Sequence, residues 1–294
     1  MTIQKFNRIE PIALPQPYLH RFNIKHCRTF HETYPRFINS VRIIMSIIKE
    51  IQELRSGVTA MDSPCTFQRK ENKYLITPAQ QKAFLSIAAE HLEADRFAKS
   101  TVCNIYLDTP THYLIRESMD VTEEGRPYKE KLRIRTYGTA DRESKVFIEL
   151  KKKFKGIVYK RRIETTLGKA DAYLKEGRLP EESQIMKEID HTMRKYGWPE
   201  PSIMVFYERT SWFDRDQPCI RITFDSNTRY RTEDMDFELG SCGHLLFKDD
   251  TRILEIKVPG AYPLWLTEAL DRLGIRKQSF SKVAAAYKKM LGSA

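Results

Sequence analysis

Lys131-Leu132-Arg133-Ile134-Arg135 and Ile148-Glu149-Leu150-Lys151 follow one rule, in which charged and apolar residues alternate strictly. Successive side chains on a strand point to opposite faces, so each segment builds one charged wall and one apolar wall. Lys131, Arg133 and Arg135 share a face opposite Leu132 and Ile134. Glu149, Lys151 and Lys153 oppose Ile148 and Leu150. The same alternation recurs outward along the chain: Lys160, Arg162 and Glu164 after Gly156; Arg221, Thr223 and Asp225; Glu255 and Lys257; and, near the start, Arg69, Glu71 and Lys73. A register slip of one residue would bring Arg161 onto the charged face in place of Lys160.

A single wet-faced antiparallel sheet accounts for any one of these strands. Their repetition, with Arg and Lys at strand centres and few carboxylates, predicts more. A sheet of about eight such strands curled into a barrel brings the charged faces together in a lumen. Mutual repulsion there calls for an anion. Arg forks and Lys ammonium groups suit phosphate oxygens, and Glu71, Glu149 or Glu255 could hold a divalent cation shared with them. The expected fold is therefore α+β, an antiparallel β-barrel tunnel flanked by helices. Helices are predicted from Thr77-Pro78 to about Leu92, Lys169 to Lys175, Glu181 to Tyr196 with Gly197 closing it, Pro263 to Leu273 and Ser281 to Leu291.

Composition agrees with a packed, polyanion-binding protein. The 294 residues are 41% hydrophobic, and 50 Lys+Arg against 39 Asp+Glu leave a formal charge of +11. Cys27, Cys65, Cys103, Cys219 and Cys242 are scattered, odd in number and include no CxxC pair, so neither a zinc ribbon nor a disulfide framework is indicated and a reducing compartment fits best. The N-terminus lacks the apolar core of a signal peptide, so a soluble cytoplasmic protein is expected. Residues 1 to 60 differ from the rest. Pro11, Pro15, Pro17 and Pro35 interrupt them, and Ile43, Ile44, Ile47, Ile48, Ile51 and Leu54 predict one amphipathic helix ending near Gly57. They read as an N-terminal extension to a domain spanning 61–294, or as a misassigned start with Met61 as the true first residue.

The sequence contains no HExxH, GxSxG, GxxxxGK[ST] or kinase HRD motif. His20, His26, Cys27 and His31 fit no standard metal spacing. Trp198, Trp212 and Trp265 read as packing residues, and Cys242-Gly243-His244 as a turn. Aromatics beside the basic strand residues are sparse, Tyr137 and Tyr159 being isolated, which argues against single-stranded nucleic acid as the partner.

Taken in order, Arg69-Lys70-Glu71-Asn72-Lys73-Tyr74, Tyr106-Leu107-Asp108-Thr109, Leu132-Arg133-Ile134-Arg135 with Tyr137-Gly138, Phe147 to Lys151, Tyr207-Glu208-Arg209-Thr210, Ile220-Arg221-Ile222, Leu254-Glu255-Ile256-Lys257 and Ser279-Phe280-Ser281-Lys282 form a recognisable series. It resembles the polyphosphate polymerase domain of the vacuolar transporter chaperone family, within the triphosphate tunnel metalloenzymes. The resemblance spans roughly Arg69 to Tyr287. It implies a metal-dependent phosphotransferase, using Mn²⁺ or Mg²⁺, that moves the terminal phosphate of ATP or another nucleoside triphosphate onto inorganic polyphosphate. It also implies roles. Lys73, Arg133, Arg135, Lys151, Arg209 and Arg221 would act on the reacting triphosphate; Arg69, Arg116, Lys160, Arg162, Lys257 and Lys282 would bind substrate or chain. Glu255 would anchor the metal, with Glu149 and Glu71 as further candidates. Related hydrolases and cyclases open with a paired-glutamate ExExK, where this chain has Arg69 at the first carboxylate position. That departure favours the polymerase branch. The alternatives are a tripolyphosphatase or nucleoside triphosphatase on the same fold, and a non-catalytic polyphosphate-binding module. A membrane partner for product export would have to be encoded elsewhere.

Overall fold

The computed structural model describes residues 70–119, 128–154 and 157–292. These belong to the second of two units into which the chain divides, Cys65–Ala294. The expected extension and its helix lie outside the described residues, as does Arg69.

Among the described residues nine antiparallel strands form one sheet: β1 (Lys70–Ile76), β2 (Leu92–Asp108), β3 (Tyr128–Tyr137), β4 (Lys145–Phe154), β5 (Ile157–Thr166), β6 (Glu200–Asp214), β7 (Arg221–Arg231), β8 (His244–Leu245) and β9 (Arg252–Val258). Their order is β1-β9-β7-β6-β2-β3-β4-β5, with β8 added beside β7. Among the described residues six helices accompany them: α1 (Pro78–Ile87), α2 (Tyr113–Met119), α3 (Leu167–Glu176), α4 (Gln184–Lys195), α5 (Leu264–Arg272) and α6 (Lys282–Met290).

The alternation read from the sequence sorts the two faces as expected. Leu132, Ile134, Ile148, Leu150 and Ile163 turn outward and bury under α3 and α4 with Tyr173, Met186 and Ile189. Ile222, Leu254, Ile256 and Val258 do the same under α1 and α5 with Phe84, Leu266 and Ala269. The concave face carries the charge. Curling brings its ends together: among the described residues no ladder joins β1 to β5, but Lys151 Nζ on β4 reaches Glu71 Oε2 on β1 at 3.5 Å.

Two helices are not on the outside. Val102, Val205 and Tyr207 share the concave face through the β2–β6 register, and α2 and α6 pack on them through Ile115, Val283, Ala286 and Tyr287. The C-terminal helix thus forms part of the inner wall, which is how Lys282 enters the lumen.

Capping sets several boundaries. Thr77 Oγ1 accepts the Gln80 N–H at 3.1 Å and Gln80 Oε1 accepts the Thr77 N–H at 3.0 Å, a capping box followed by Pro78. Gly197, at φ +70°, closes the α4 region in the left-handed conformation that glycine adopts freely. The α1 helix ends at Ile87, short of the expected Leu92, because Leu92 is taken into the sheet opposite Asp214. Tertiary pairing overrides the local helical signal there.

The sequence gives no periodic sign of α2, which spans seven residues. Asp108 builds it instead. Its buried carboxylate accepts the N–H groups of Thr109 (2.8 Å), Leu114 (2.8 Å) and Ile115 (2.9 Å), satisfying donors that the first turn cannot. Asp108→Ala is expected to cost at least about 2 kcal/mol, the upper end for a lost cap. A fall in the urea midpoint at unchanged slope would show it.

Cys103 and Cys242 are free thiols, whereas Cys219 is disulfide-bonded, which the scattered spacing did not signal. Cys242-Gly243-His244 is a tight connection into β8. A Cβ at Gly243 would lie 2.6 Å from the Tyr230 carbonyl oxygen and 2.8 Å from the Phe206 ring, so the glycine is required by close approach.

Candidate active site

Cross-strand register assembles the lumen in tiers. Tyr106 stands opposite Arg133, Arg133 opposite Glu149, and Glu149 opposite Arg162; one step along, Lys131, Lys151 and Lys160 align. On the other half of the sheet, Lys73, Glu255 and Thr223 align, as do Arg209 and Asp225. The register places Lys160 and Arg162 in the lumen. Arg161 points the other way, its Nε 2.6 Å from Glu188 Oε2 on α4.

Two carboxylates act as hubs for these cations. Glu149, 1% exposed, has Arg133 Nε and Nη2 at 2.7 and 2.6 Å from Oε2, and Lys160 Nζ at 2.7 Å and Arg162 Nε at 3.6 Å from Oε1. Burial would raise its pKa, but Arg133, Arg135 and Lys160 overcome this and hold it at about 2. Asp225, fully buried, receives a bidentate pair from Arg209 (2.6 and 2.8 Å) and also contacts Lys282. Burial opposes its ionisation too, and Lys282 and Arg209 prevail, lowering its pKa. Arg135 lies further out on the same network, donating to Asn104 Oδ1 at 2.8 Å.

The other two lumen carboxylates lie on the paired strands β1 and β9. Glu255 Oε1 pairs with Lys257 Nζ at 2.6 Å, while Arg209 Nη2 stands 3.9 Å from Oε2. Glu71 pairs with Lys73 at 3.3 Å and Lys151 at 3.5 Å. Glu71 and Glu255 repel one another across the β1–β9 pair, and both remain below the ordinary carboxylate range because Lys73 and Lys257, with Lys151 at Glu71 and Arg209 at Glu255, outweigh burial and that repulsion. Thr223, cross-strand from Glu255, has a buried Oγ1 with no hydrogen-bond partner.

Aromatic groups complete the wall. The Tyr106 hydroxyl accepts from Arg133 Nη1 at 3.2 Å, and Lys282 Nζ lies 4.3 Å above the Tyr207 ring. Burial would raise the Tyr106 phenol, yet Arg133, Lys131 and Arg135 bring it down to about 8. Lys131, whose Nζ donates to Ser281 Oγ at 3.0 Å, is lowered to about 8 by burial, with Lys73, Lys151 and Arg133 adding repulsion against the opposite pull of Tyr106.

Of the residues expected at the site, Lys73, Arg133, Arg135, Lys151, Lys160, Arg162, Arg209, Lys257 and Lys282 come together with Glu71, Glu149 and Glu255 in this lumen. Arg221 lies opposite Lys257 on β7 and pairs with Asp95, beside the irregular stretch of β2. Arg116 is not brought into the lumen network: it sits exposed on α2, with Nη1 3.4 Å from the Thr111 carbonyl oxygen. Asp225, Tyr106, Tyr207 and Lys131 were not singled out as site residues. Asp225 and Lys131 carried the same alternation signal as their neighbours, whereas the two tyrosines carried none.

The model of the VTC domain family matches residues 68–291. No curated protein matches the chain. Among solved structures, the chain is similar to protein bh2851 of Bacillus halodurans (13% identity, 73% of this chain and 94% of that one, TM-score 0.46). It is also similar to HpAC1 of Hippeastrum, described with a dominant triphosphatase activity (16% identity, 76% and 96% covered, TM-score 0.46), and to PH1819 of Pyrococcus horikoshii (14%, 76% and 99%, TM-score 0.39). With the matched region running over nearly all of the described residues and the ordered strand motifs lying inside it, the chain belongs to the VTC domain family.

Proposed function

We propose that this protein is a polyphosphate polymerase that transfers the terminal phosphate of ATP, or another nucleoside triphosphate, to a polyphosphate chain inside the basic lumen. The observation that carries this reading is the convergence, among the described residues, of Lys73, Lys131, Arg133, Arg135, Lys151, Lys160, Arg162, Arg209, Lys257 and Lys282 around Glu71, Glu149, Asp225 and Glu255. That excess of positive charge is only partly compensated by the protein itself, and a phosphate chain supplies the missing charge at regular spacing.

A divalent cation fits one part of this lumen. Among the described residues no cluster of three or more His, Cys, Asp or Glu exists, so a cage made wholly of protein is not on offer. Mg²⁺ and Mn²⁺ are commonly held by one or two carboxylates, with phosphate oxygens and water completing the shell. Glu255 and Glu71, next to the orphaned Thr223 hydroxyl, meet that need. Glu149 is better suited to holding arginines in place. Glu255 and Glu71 would hold the cation there, and it would supply positive charge against the phosphates.

The side chains do the rest by position. Arg133 and Arg135, oriented by Glu149 and Asn104, present N–H donors to the transferring group. Arg209 and Lys282, fixed by Asp225, meet the phosphates from the facing wall. The acceptor, a terminal phosphate already ionised at neutral pH, needs no general base. Hydrolysis needs activated water. Glu149 and Asp225, lowered and held by cations, are poor bases, which favours the polymerase reading over a triphosphatase.

The test is product size. Protein incubated with ATP and Mn²⁺, with and without a short polyphosphate primer, should yield long chains on a gel. Orthophosphate alone would assign the protein to the hydrolases, and primer binding with no turnover to the binding modules. Among the described residues no helix is long and apolar enough to cross a membrane; an exporting partner remains part of this proposal.

A pH signature accompanies binding. An anion in the lumen favours charged Lys131 and neutral Tyr106, both of which titrate near 8 in the free protein. Binding should therefore take up protons around pH 8, and affinity should fall as pH rises through it. Calorimetry of tripolyphosphate binding in buffers of different ionisation enthalpy would reveal the uptake. A pH-independent affinity between 7 and 9 would refute it.

A further inference from the structure

Behind the tunnel wall lies a second cavity of about 920 Å³, on the apolar side of the sheet. Its floor is Ile105 of β2 and Ile134 of β3, the latter sitting between Arg133 and Arg135 but facing away from them. Leu174 of α3, Trp198 and Phe237 form apolar sides. The rim has the opposite sign to the lumen. Asp171, Glu200, Asp234, Asp236 and Glu238 line it, against Arg142 and Lys175. None of the five carboxylates is in an ion pair among the described residues, in a chain whose formal charge is +11.

The wall is preformed. Trp198 follows Gly197 at φ +66°, its backbone N–H donating to the Met193 carbonyl at 2.8 Å. Its indole N–H donates to the Leu174 carbonyl at 2.8 Å, and its ring meets Tyr173 edge-on at 5.3 Å. A non-glycine residue held in that conformation by two hydrogen bonds keeps the side chain from swinging into the cavity.

We propose that this cavity is a docking site for a basic amphipathic segment of a partner protein, whose apolar face covers Trp198 and the exposed Leu239 of the lining while its Lys and Arg residues meet the acidic rim. Charge complementarity chooses the occupant. The carboxylates come from α3, from the start of β6 and from the 234–238 segment, so they surround the cavity rather than focus on one point. A single small cation satisfies one side only, whereas cations spaced along a segment reach all three. The volume, near the top of the range for ligand pockets, admits several apolar side chains at once. Elsewhere the positive chain repels such a partner, so binding must be local.

The test uses the whole protein without polyphosphate and a fluorescent 18-residue amphipathic helix of Leu and Lys as probe. A peptide of equal charge with Ala for Leu, and one with Glu for Lys, serve as controls. The Leu/Lys peptide should bind with a change in tryptophan emission that Trp198→Phe removes. Asp234→Lys with Glu238→Lys should weaken it by roughly tenfold or more, as loss of two charge contacts to reversed charges predicts. Glu200→Lys provides the same readout should the double variant fail to fold by circular dichroism. Equal binding of the Ala/Lys peptide, unchanged affinity in both reversal variants, absence of binding, or full displacement by equimolar spermidine would each overturn the proposal.

Discussion

Arg133→Ala is expected to lower kcat/KM for chain extension by roughly 30- to 1000-fold, which is about 2 to 4 kcal/mol of transition-state stabilisation if the guanidinium acts as an oxyanion-type donor. The fold should survive. Glu149, which Arg133 holds through two contacts, keeps Lys160 at 2.7 Å and Arg162 at 3.6 Å, so its charge is not abandoned. Loss should fall on kcat as well as KM, since a donor aimed at the transferring group strengthens as charge develops. Arg161→Ala is the matched control. One residue from Lys160 on the same strand, Arg161 faces out to Glu188, and such half-exposed pairs contribute about 0 to 1 kcal/mol. Turnover in Arg161→Ala should stay near wild type. Comparable losses in the two variants would remove the lumen from the mechanism, and a normal Arg133→Ala enzyme would remove Arg133.

How much of this was readable from the chain depends on the range of the physics involved. Strand alternation is local, and it located β3, β4, β7 and β9, their charged faces and most of the cations in the lumen. Family resemblance added Lys282, which no alternation could place, because it reaches the lumen from a helix packed on the concave face. What was not readable depends on which strand lies beside which. Glu149 and Glu255 each sit between an aliphatic pair on similar strands, Ile148 and Leu150 in one case, Leu254 and Ile256 in the other. Register then sets the first between Arg133 and Arg162 and the second between Lys73 and Thr223. Arg116 lies in a segment whose helix depends on three hydrogen bonds to Asp108, a contact that no periodicity announces. Asp225 was visible as an alternating residue, yet its pairing with Arg209 appears only once β6 and β7 are aligned.

Glu149→Ala should destabilise the protein in a way that substrate partly restores. Removing this carboxylate leaves Arg133 and Arg135 facing Lys160 and Arg162, and because the last two side chains are 43% and 33% exposed the cost should lie at the lower end of the range of about 3 to 5 kcal/mol for a broken buried pair. Linkage gives a similar size. A carboxyl held at about 2 rather than 4.5 corresponds to about 3 kcal/mol. Since the folded-state pKa is depressed, that contribution is present above about pH 4.5 and is lost as pH falls toward 2; the variant should therefore be less stable than wild type at neutral pH, with the gap closing in acid. Tripolyphosphate supplies the missing negative charge. Saturating ligand should raise the melting temperature of Glu149→Ala more than that of wild type, because it replaces a counter-ion in the variant and adds to one in the parent. Glu255→Gln should lose the metal dependence of binding and, because Lys257 and Arg209 hold its buried carboxylate ionised, should lose stability at neutral pH as well. A Glu149→Ala protein that melts with the parent, or that gains no more from ligand, would show that the arginine wall does not need its internal counter-ion.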